Sequence, residues 1–188
     1  HLGFSVEELE GHTAESNEQL VAEVCAELKP YEEELGREIP VFAAGGVFTA
    51  EDCSRMLKAG AKGVQIGTRF IATKECDAAQ GFKDVIINAK KEDIVIIKSP
   101  VGMPARAIMT PLLERLKNGE DFSAKRCNRC LTACQGPGKA VYCISRALIA
   151  AVRGNIDEGL FFSGENAWRI DHMTTVGELM DEFRVCFE

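Results

Sequence analysis

The sequence predicts an α/β fold, in which a β-α-β unit of parallel strands is followed by a helical C-terminal lobe. Three observations carry this expectation. Two short apolar runs, residues 39–44 and 63–66, each end in glycine and lie one helix apart, the pattern of parallel strands joined by a crossover helix. Between them, Thr49 and Asp52 form a variant capping box ahead of the apolar pair Met56 and Leu57, which marks a helix start. With 188 residues, 46% of them hydrophobic and 27% charged, the chain has enough apolar surface to bury a core.

The elements follow in order. In residues 5–35, Leu20, Val21, Val24 and Leu28 recur at helical spacing behind Ser16 as cap, which predicts a surface helix bent or ended near Pro30. Glu32, Glu33 and Glu34 read as its solvated face. The run 39–44, stopped by Gly45-Gly46, suits a strand buried on both faces. The capped helix then ends at Gly60, and 63–66 gives the second strand, closed by Gly67-Thr68. A helix over about 79–90, a strand at 94–97 and a turn-rich loop at 99–104 follow, after which the chain reads as helical, interrupted by Gly and Pro. From about Asp121 the composition shifts toward Cys, Arg and Gly, predicting a division into 1–120 and 121–188. Within the second part, helices at 141–153 and 176–187 flank 159–164, and Trp168 is expected to pack with Phe161 and Phe162.

Composition narrows the function. The longest apolar runs, 147–152 and 94–97, fall far below the roughly 18 residues of a membrane span, so no membrane partner is expected. A net charge of −7, from 22 basic and 29 acidic side chains, lacks the cationic footprint of a nucleic-acid binder. Among eight cysteines, Cys25, Cys53 and Cys186 sit inside apolar segments, and nothing resembles a signal peptide. A reducing, cytoplasmic location is therefore expected. The chain opens on His1 rather than Met, which reads as a processed or truncated piece.

Two groups of residues carry candidate chemistry. Gly45-Gly46 and Gly67-Thr68 each close a parallel strand, and backbone N–H groups at such turns approach a phosphate closely because no Cβ stands in the way. They fit the loops after the last two strands of an eight-stranded β/α barrel, the habitual phosphate site of that fold. The same glycines also fit a purely steric role in helix–strand connections. The second group is Cys127-x2-Cys130-x3-Cys134 with Cys143, where Arg126 and Arg129 place positive charge beside the sulfurs. Four thiolates suit a Zn site or an iron–sulfur cluster, although the spacing matches neither a zinc ribbon nor a ferredoxin run. If the segment is helical, Cys127, Cys130 and Cys134 share one face and read as a buried stripe instead. Arg106 reads either as a contact for an anionic ligand or as a solvent-facing loop arginine, and His12 and His172 as surface residues.

Ala43-Ala44-Gly45-Gly46-Val47, the spacing to Gly63-Val64-Gln65-Ile66-Gly67-Thr68-Arg69-Phe70, then Ala72 and Lys74-Glu75-Cys76, together resemble the flavin-dependent nitronate monooxygenase family. That family was formerly called 2-nitropropane dioxygenase and includes the flavin-type enoyl-(acyl-carrier-protein) reductases. Gly102-x-Pro104-Ala105-Arg106-Ala107-Ile108, Tyr142-Cys143-Ile144 and Asn166-Ala167 extend the likeness along nearly the whole chain.

The resemblance implies the C-terminal part of an FMN-binding β/α (TIM) barrel with a helical C-terminal lobe. Gly45, Gly46, Gln65, Ile66, Gly67 and Thr68 would hold FMN, chiefly at its phosphate. In the family, a Gly-Gly-His-x-Gly turn carries the catalytic histidine, and here His1-Leu2-Gly3 corresponds to its end. His1 thus reads either as the proton-transfer residue or as an ordinary terminal histidine. The implied reaction is oxidation of alkyl nitronates, small-molecule substrates, with O₂. The alternatives are hydride delivery from NAD(P)H to an enoyl thioester, a metal- or cluster-binding module built on the four cysteines, or a non-catalytic interaction fragment. Two strands do not close a barrel. The expectation is therefore that the 188 residues alone bind flavin weakly or not at all and are inactive, and that a second copy or the missing half of the barrel covers the strands.

Overall fold

The computed structural model describes residues 17–123 and 126–188. In chain order they form α1 (Asn17–Leu35), β1 (Phe42–Ala44), α2 (Ala50–Lys58), β2 (Gly63–Gln65), α3 (Thr68–Ile71), α4 (Gln80–Asn88), β3 (Ile94–Lys98), β4 (Pro104–Ile108), α5 (Pro111–Lys117), α6 (Ile144–Val152) and α7 (Val176–Arg184). They belong to two packing units, one of residues 17–75 with 174–188 and one of residues 76–173. Packing therefore joins 121–173 to 76–120 and joins the last helix to the first strands. The composition shift at 120/121 is not where the units part.

In the first unit, β1 and β2 pair in parallel with Phe42 opposite Gly63, Ala43 opposite Val64 and Ala44 opposite Gln65. The helix between them begins as expected. Thr49 Oγ1 accepts the Asp52 N–H at 3.2 Å, and the Asp52 carboxylate accepts the N–H groups of Phe48 and Thr49, both at 2.9 Å. Burial raises the Asp52 pKa, but the N–H donors of Thr49 and Phe48, the Thr49 hydroxyl and Arg55 outweigh it and hold the carboxyl below its ordinary value.

The core of this unit gathers Val21, Ala43, Val47, Cys53, Met56, Ala61 and Phe183. The strand itself departs from expectation. Only Ala43 of β1 is buried, and Phe42 is 63% exposed, because among the described residues the sheet has two strands and no layer covers its second face. Helix α1 also differs, running five residues past Pro30. A proline removes one N–H donor and leaves the rest of the ladder available. The chain turns at Gly36, with φ +63°, where the Glu32 carboxylate accepts the Ile39 N–H at 2.8 Å. Glu33 and Glu34 are exposed, whereas Glu32 is half-buried in this capping role. The cap expected at Ser16 lies outside the described residues.

The C-terminal helix is fastened by the Lys74-Glu75 segment. Thr73 bridges Thr174 in parallel, and both Glu75 carboxylate oxygens accept the Val176 N–H at 3.1 Å. Thr175 and Glu178 form a capping box at the start of α7, which buries Leu179 and Phe183.

In the second unit, β3 and β4 form an antiparallel hairpin with Ile94 opposite Ile108 and Lys98 opposite Pro104. The turn-rich loop expected at 99–104 is its connection, and Gly102 (φ +87°) donates to the Ser99 carbonyl at 2.9 Å. Residues 161–163 extend the pairing, since Ala107 bridges Phe162 and the Ile108 N–H donates to the Phe161 carbonyl at 2.9 Å. Ala107, Leu112, Leu113, Tyr142, Ile144, Ala147 and Leu160 form the core. Phe161 is buried and meets Phe82 edge-on at 4.9 Å between centroids. Trp168 does not join them. It is 40% exposed, with Lys91 Nζ lying 5.8 Å from its ring centroid. Helices α4 and α6 come close where Gly81 meets Gly154, and a Cβ on Gly81 would lie 2.7 Å from the Gly154 carbonyl oxygen.

Candidate functional site

Parallel pairing decides where the two glycine turns lie. Gly45-Gly46 follows β1 and Gly67-Thr68 follows β2, so the register of Ala44 with Gln65 brings both turns to the same end of the sheet. Gly45 and Gly46 adopt φ of +90° and +75°, a left-handed backbone that only glycine enters at low cost. Asn17 Nδ2 donates to the Gly45 carbonyl at 3.1 Å and steadies the turn. A Cβ on Gly46 would meet that amide nitrogen at 2.4 Å.

Above the other two glycines the space is open. A Cβ on Gly45 or on Gly67 would meet no heavy atom within 4 Å. Gln65 is exposed, while Ile66 and Thr68 are half-buried. Open space over these two glycines is compatible with an anionic group such as a flavin phosphate approaching the backbone there. The start of α2 offers less, since its first turn carries Glu51 and Asp52 and its capping box already engages the Phe48, Thr49 and Asp52 N–H groups.

Arg69, which the sequence reading gave no role, joins the two turns. Its Nη1 donates to the Phe48 carbonyl at 2.8 Å and to Glu182 Oε1 at 2.7 Å, while the guanidinium lies over the Phe48 ring at 4.9 Å and the Phe183 ring at 5.7 Å. Its charge is thus engaged by Glu182. Its contribution is to hold the loop after Gly46 against the segment after Gly67. Its sequence signals were its position two residues past a glycine turn and its place in the run that carries the family resemblance.

The remaining candidates fall elsewhere. His1 and His12 lie outside the described residues, and His172 is exposed beside Asp171. Arg106 is half-buried with Nη2 3.4 Å from Glu165. The cysteine segment is not helical. Residues 126–143 carry turns and bends, with Cys130 exposed and Cys127, Cys134 and Cys143 half-buried, so the buried-stripe account is replaced by an irregular loop. Among the described residues, no three His, Cys, Asp or Glu side chains come together to hold a metal ion, and no helix is long and apolar enough to cross a membrane.

Residues 1–184 match the family model described as nitronate monooxygenase.

The chain belongs to the nitronate monooxygenase family.

A probable nitronate monooxygenase of Staphylococcus aureus (strain Newman) is 38% identical over 82 residues, covering 44% of the chain and 23% of that relative. The relative from strain JH9 is 37% identical over the same length. Among solved structures, FabK from Thermotoga maritima superposes with a TM-score of 0.62 at 25% identity, covering 93% of the chain and 49% of FabK. The nitroalkane oxidase of Streptomyces ansochromogenes shares the fold, with a TM-score of 0.58 at 21% identity over 89% of the chain and 42% of its own length. The family member described here therefore spans under half of the solved chains it matches, and its match covers about a quarter of the curated ones.

Proposed function

We propose that these residues form the phosphate-binding end of an FMN-dependent nitronate monooxygenase that oxidises alkyl nitronates with O₂. The observation carrying the proposal is the convergence of the Gly45-Gly46 and Gly67-Thr68 turns at one end of a parallel strand pair, with open space over Gly45 and Gly67. There the backbone amides would hold the phosphate, Gln65 and Ile66 would line the approach, and Arg69 would fix the distance between the turns. Bound flavin supplies the redox chemistry, and the protein supplies placement and proton transfer. The resemblance assigns proton transfer to His1.

The site is completed from elsewhere. Phe42 and the α1 side chains Leu20, Val24, Tyr31 and Leu35 are exposed, apolar surface of the kind that further barrel strands or a second copy would cover. The 188 residues alone accordingly bind FMN weakly and do not turn over. The test is a flavin titration of the full-length protein containing this sequence, followed by turnover with an alkyl nitronate and, separately, with an enoyl thioester and NAD(P)H. Flavin-dependent nitronate consumption with O₂ uptake is the expected result. Enoyl reduction without nitronate oxidation would replace the assignment by a reductase.

A further inference from the structure

Cys127, Cys130, Cys134 and Cys143 line one cavity of about 570 Å³ in the unit of residues 76–173. All four are free thiols, and the flavin site uses none of them.

The loop is shaped around sulfur. The Arg129 N–H donates to Cys127 Sγ at 3.4 Å. Arg129 itself has φ +50° and is the only non-glycine residue with positive φ among the described residues, a conformation kept where the surroundings require it. It stands between the two cysteines of the C-x2-C pair. Cys130 Sγ lies 3.2 Å from Ser145 Oγ in the first turn of α6, and Cys143 immediately precedes that helix without capping it. Cys130 thus reaches the first turn of the helix that Cys143 precedes, where the backbone favours negative charge. Arg126, Arg129 and Arg146 line the same cavity and would offset the net negative charge of a thiolate-bound centre.

The spacing of the thiols separates the metal classes. A tetrahedral zinc ion with Zn–S bonds of about 2.3 Å draws its four sulfurs to about 3.8 Å from one another. Among the described residues no three ligating side chains are gathered for a single ion. In an iron–sulfur cluster the thiolates are divided among several irons, so the ligand sulfurs stand apart around an inorganic core. Four thiols lining one cavity supply the number of donors that such a core takes.

We propose that Cys127, Cys130, Cys134 and Cys143 bind an iron–sulfur cluster. The test is anaerobic purification of the chain, reconstitution with ferrous iron and sulfide, desalting, and assay of iron, acid-labile sulfide and zinc. The expected result is iron and sulfide in equal amounts, about two or about four of each per chain, with a visible absorption that dithionite bleaches. The double variant Cys130→Ser/Cys143→Ser should lose both, and Cys76→Ser, outside the cavity, should keep them, with circular dichroism reporting folding. A second readout needs no variant: the four cavity cysteines should resist alkylation in the loaded chain and become labelled once iron is chelated. Failure to retain iron after reconstitution, stoichiometric zinc without sulfide, undiminished iron in a folded double variant, or alkylation indifferent to iron would each overturn the proposal.

Discussion

Arg69 Nη1 donates to the carbonyl oxygen of Phe48 at 2.8 Å, so a side chain two positions beyond one glycine turn is tied to the backbone two positions beyond the other. The same nitrogen reaches Glu182 of α7 at 2.7 Å, which adds the C-terminal helix to the assembly. The arrangement of the candidate phosphate site thus depends on a residue whose charge is already neutralised.

Arg69→Met should lower stability by about 2 kcal/mol, because it removes charge-assisted hydrogen bonds and leaves the half-buried Glu182 without its partner. Arg69→Lys should recover only part of this, since one ammonium does not reproduce the planar contact with the Phe48 and Phe183 rings. Urea unfolding of the three proteins measures the differences.

Asp52 makes an acid-labile contribution. Its carboxyl is held below the ordinary value, so its stabilisation is complete above the ordinary carboxylate pKa of about 4 and is lost as pH falls through the lowered folded-state value. The stability gap between the wild type and Asp52→Asn should be constant near neutrality and close on acidification. Thr49→Ala, which removes the other half of the capping box, should cost about 1 kcal/mol near neutrality and less in acid, because the Thr49 hydroxyl also helps to hold the Asp52 carboxyl down.

Cys53 should be chemically silent in the folded chain. It is fully buried, and burial, followed by the neighbouring Cys186 thiol, pushes its pKa up to about 12. At neutral pH it remains a thiol, the unreactive form. Brief native-state alkylation with peptide mapping should leave Cys53 unlabelled, and labelling should appear only in denaturant.

Tyr142 carries a buried hydroxyl with no hydrogen-bond partner among the described residues, and burial pushes its pKa up to about 12. Tyr142→Phe should therefore raise stability by up to about 1 kcal/mol at neutral pH. The advantage should grow between pH of about 10 and about 12, where the unfolded phenol ionises and the folded one does not. Thermal denaturation across that range checks both parts.

What the sequence made legible was local. The Thr49/Asp52 box lies within four residues, and the two glycine-ended apolar runs announce their own strands, so the β-α-β unit and the position of both turns could be read directly. Strand β4 could not, because Pro104-Ala105-Arg106-Ala107-Ile108 is poor in β-branched residues and owes its extended form to pairing with β3. The role of Arg69 was equally hidden, since its partners stand 21 and 113 positions away. In the cysteine segment, the i, i+3, i+7 spacing counted for less than the local Gly, Pro and positive-φ backbone that keep it irregular. Exposure of Phe42 belongs to the same class of effects, being decided by what covers the sheet rather than by the strand's own pattern.

The central claim is that the turns at Gly45-Gly46 and Gly67-Thr68 grip a phosphate. Gly67 has an ordinary φ of −115°, and a Cβ there meets nothing within 4 Å, so Gly67→Val should fill the open space without straining the fold. The most direct measurement is fluorescence titration of the full-length protein containing this sequence with FMN and with riboflavin, for wild type and Gly67→Val at matched thermal stability. The account predicts that wild type favours FMN over riboflavin by about tenfold or more, a difference of about 1.4 kcal/mol, and that the valine erases this preference. Equal affinity of the wild type for the two flavins, or a preference for FMN that survives in the folded variant, would contradict it.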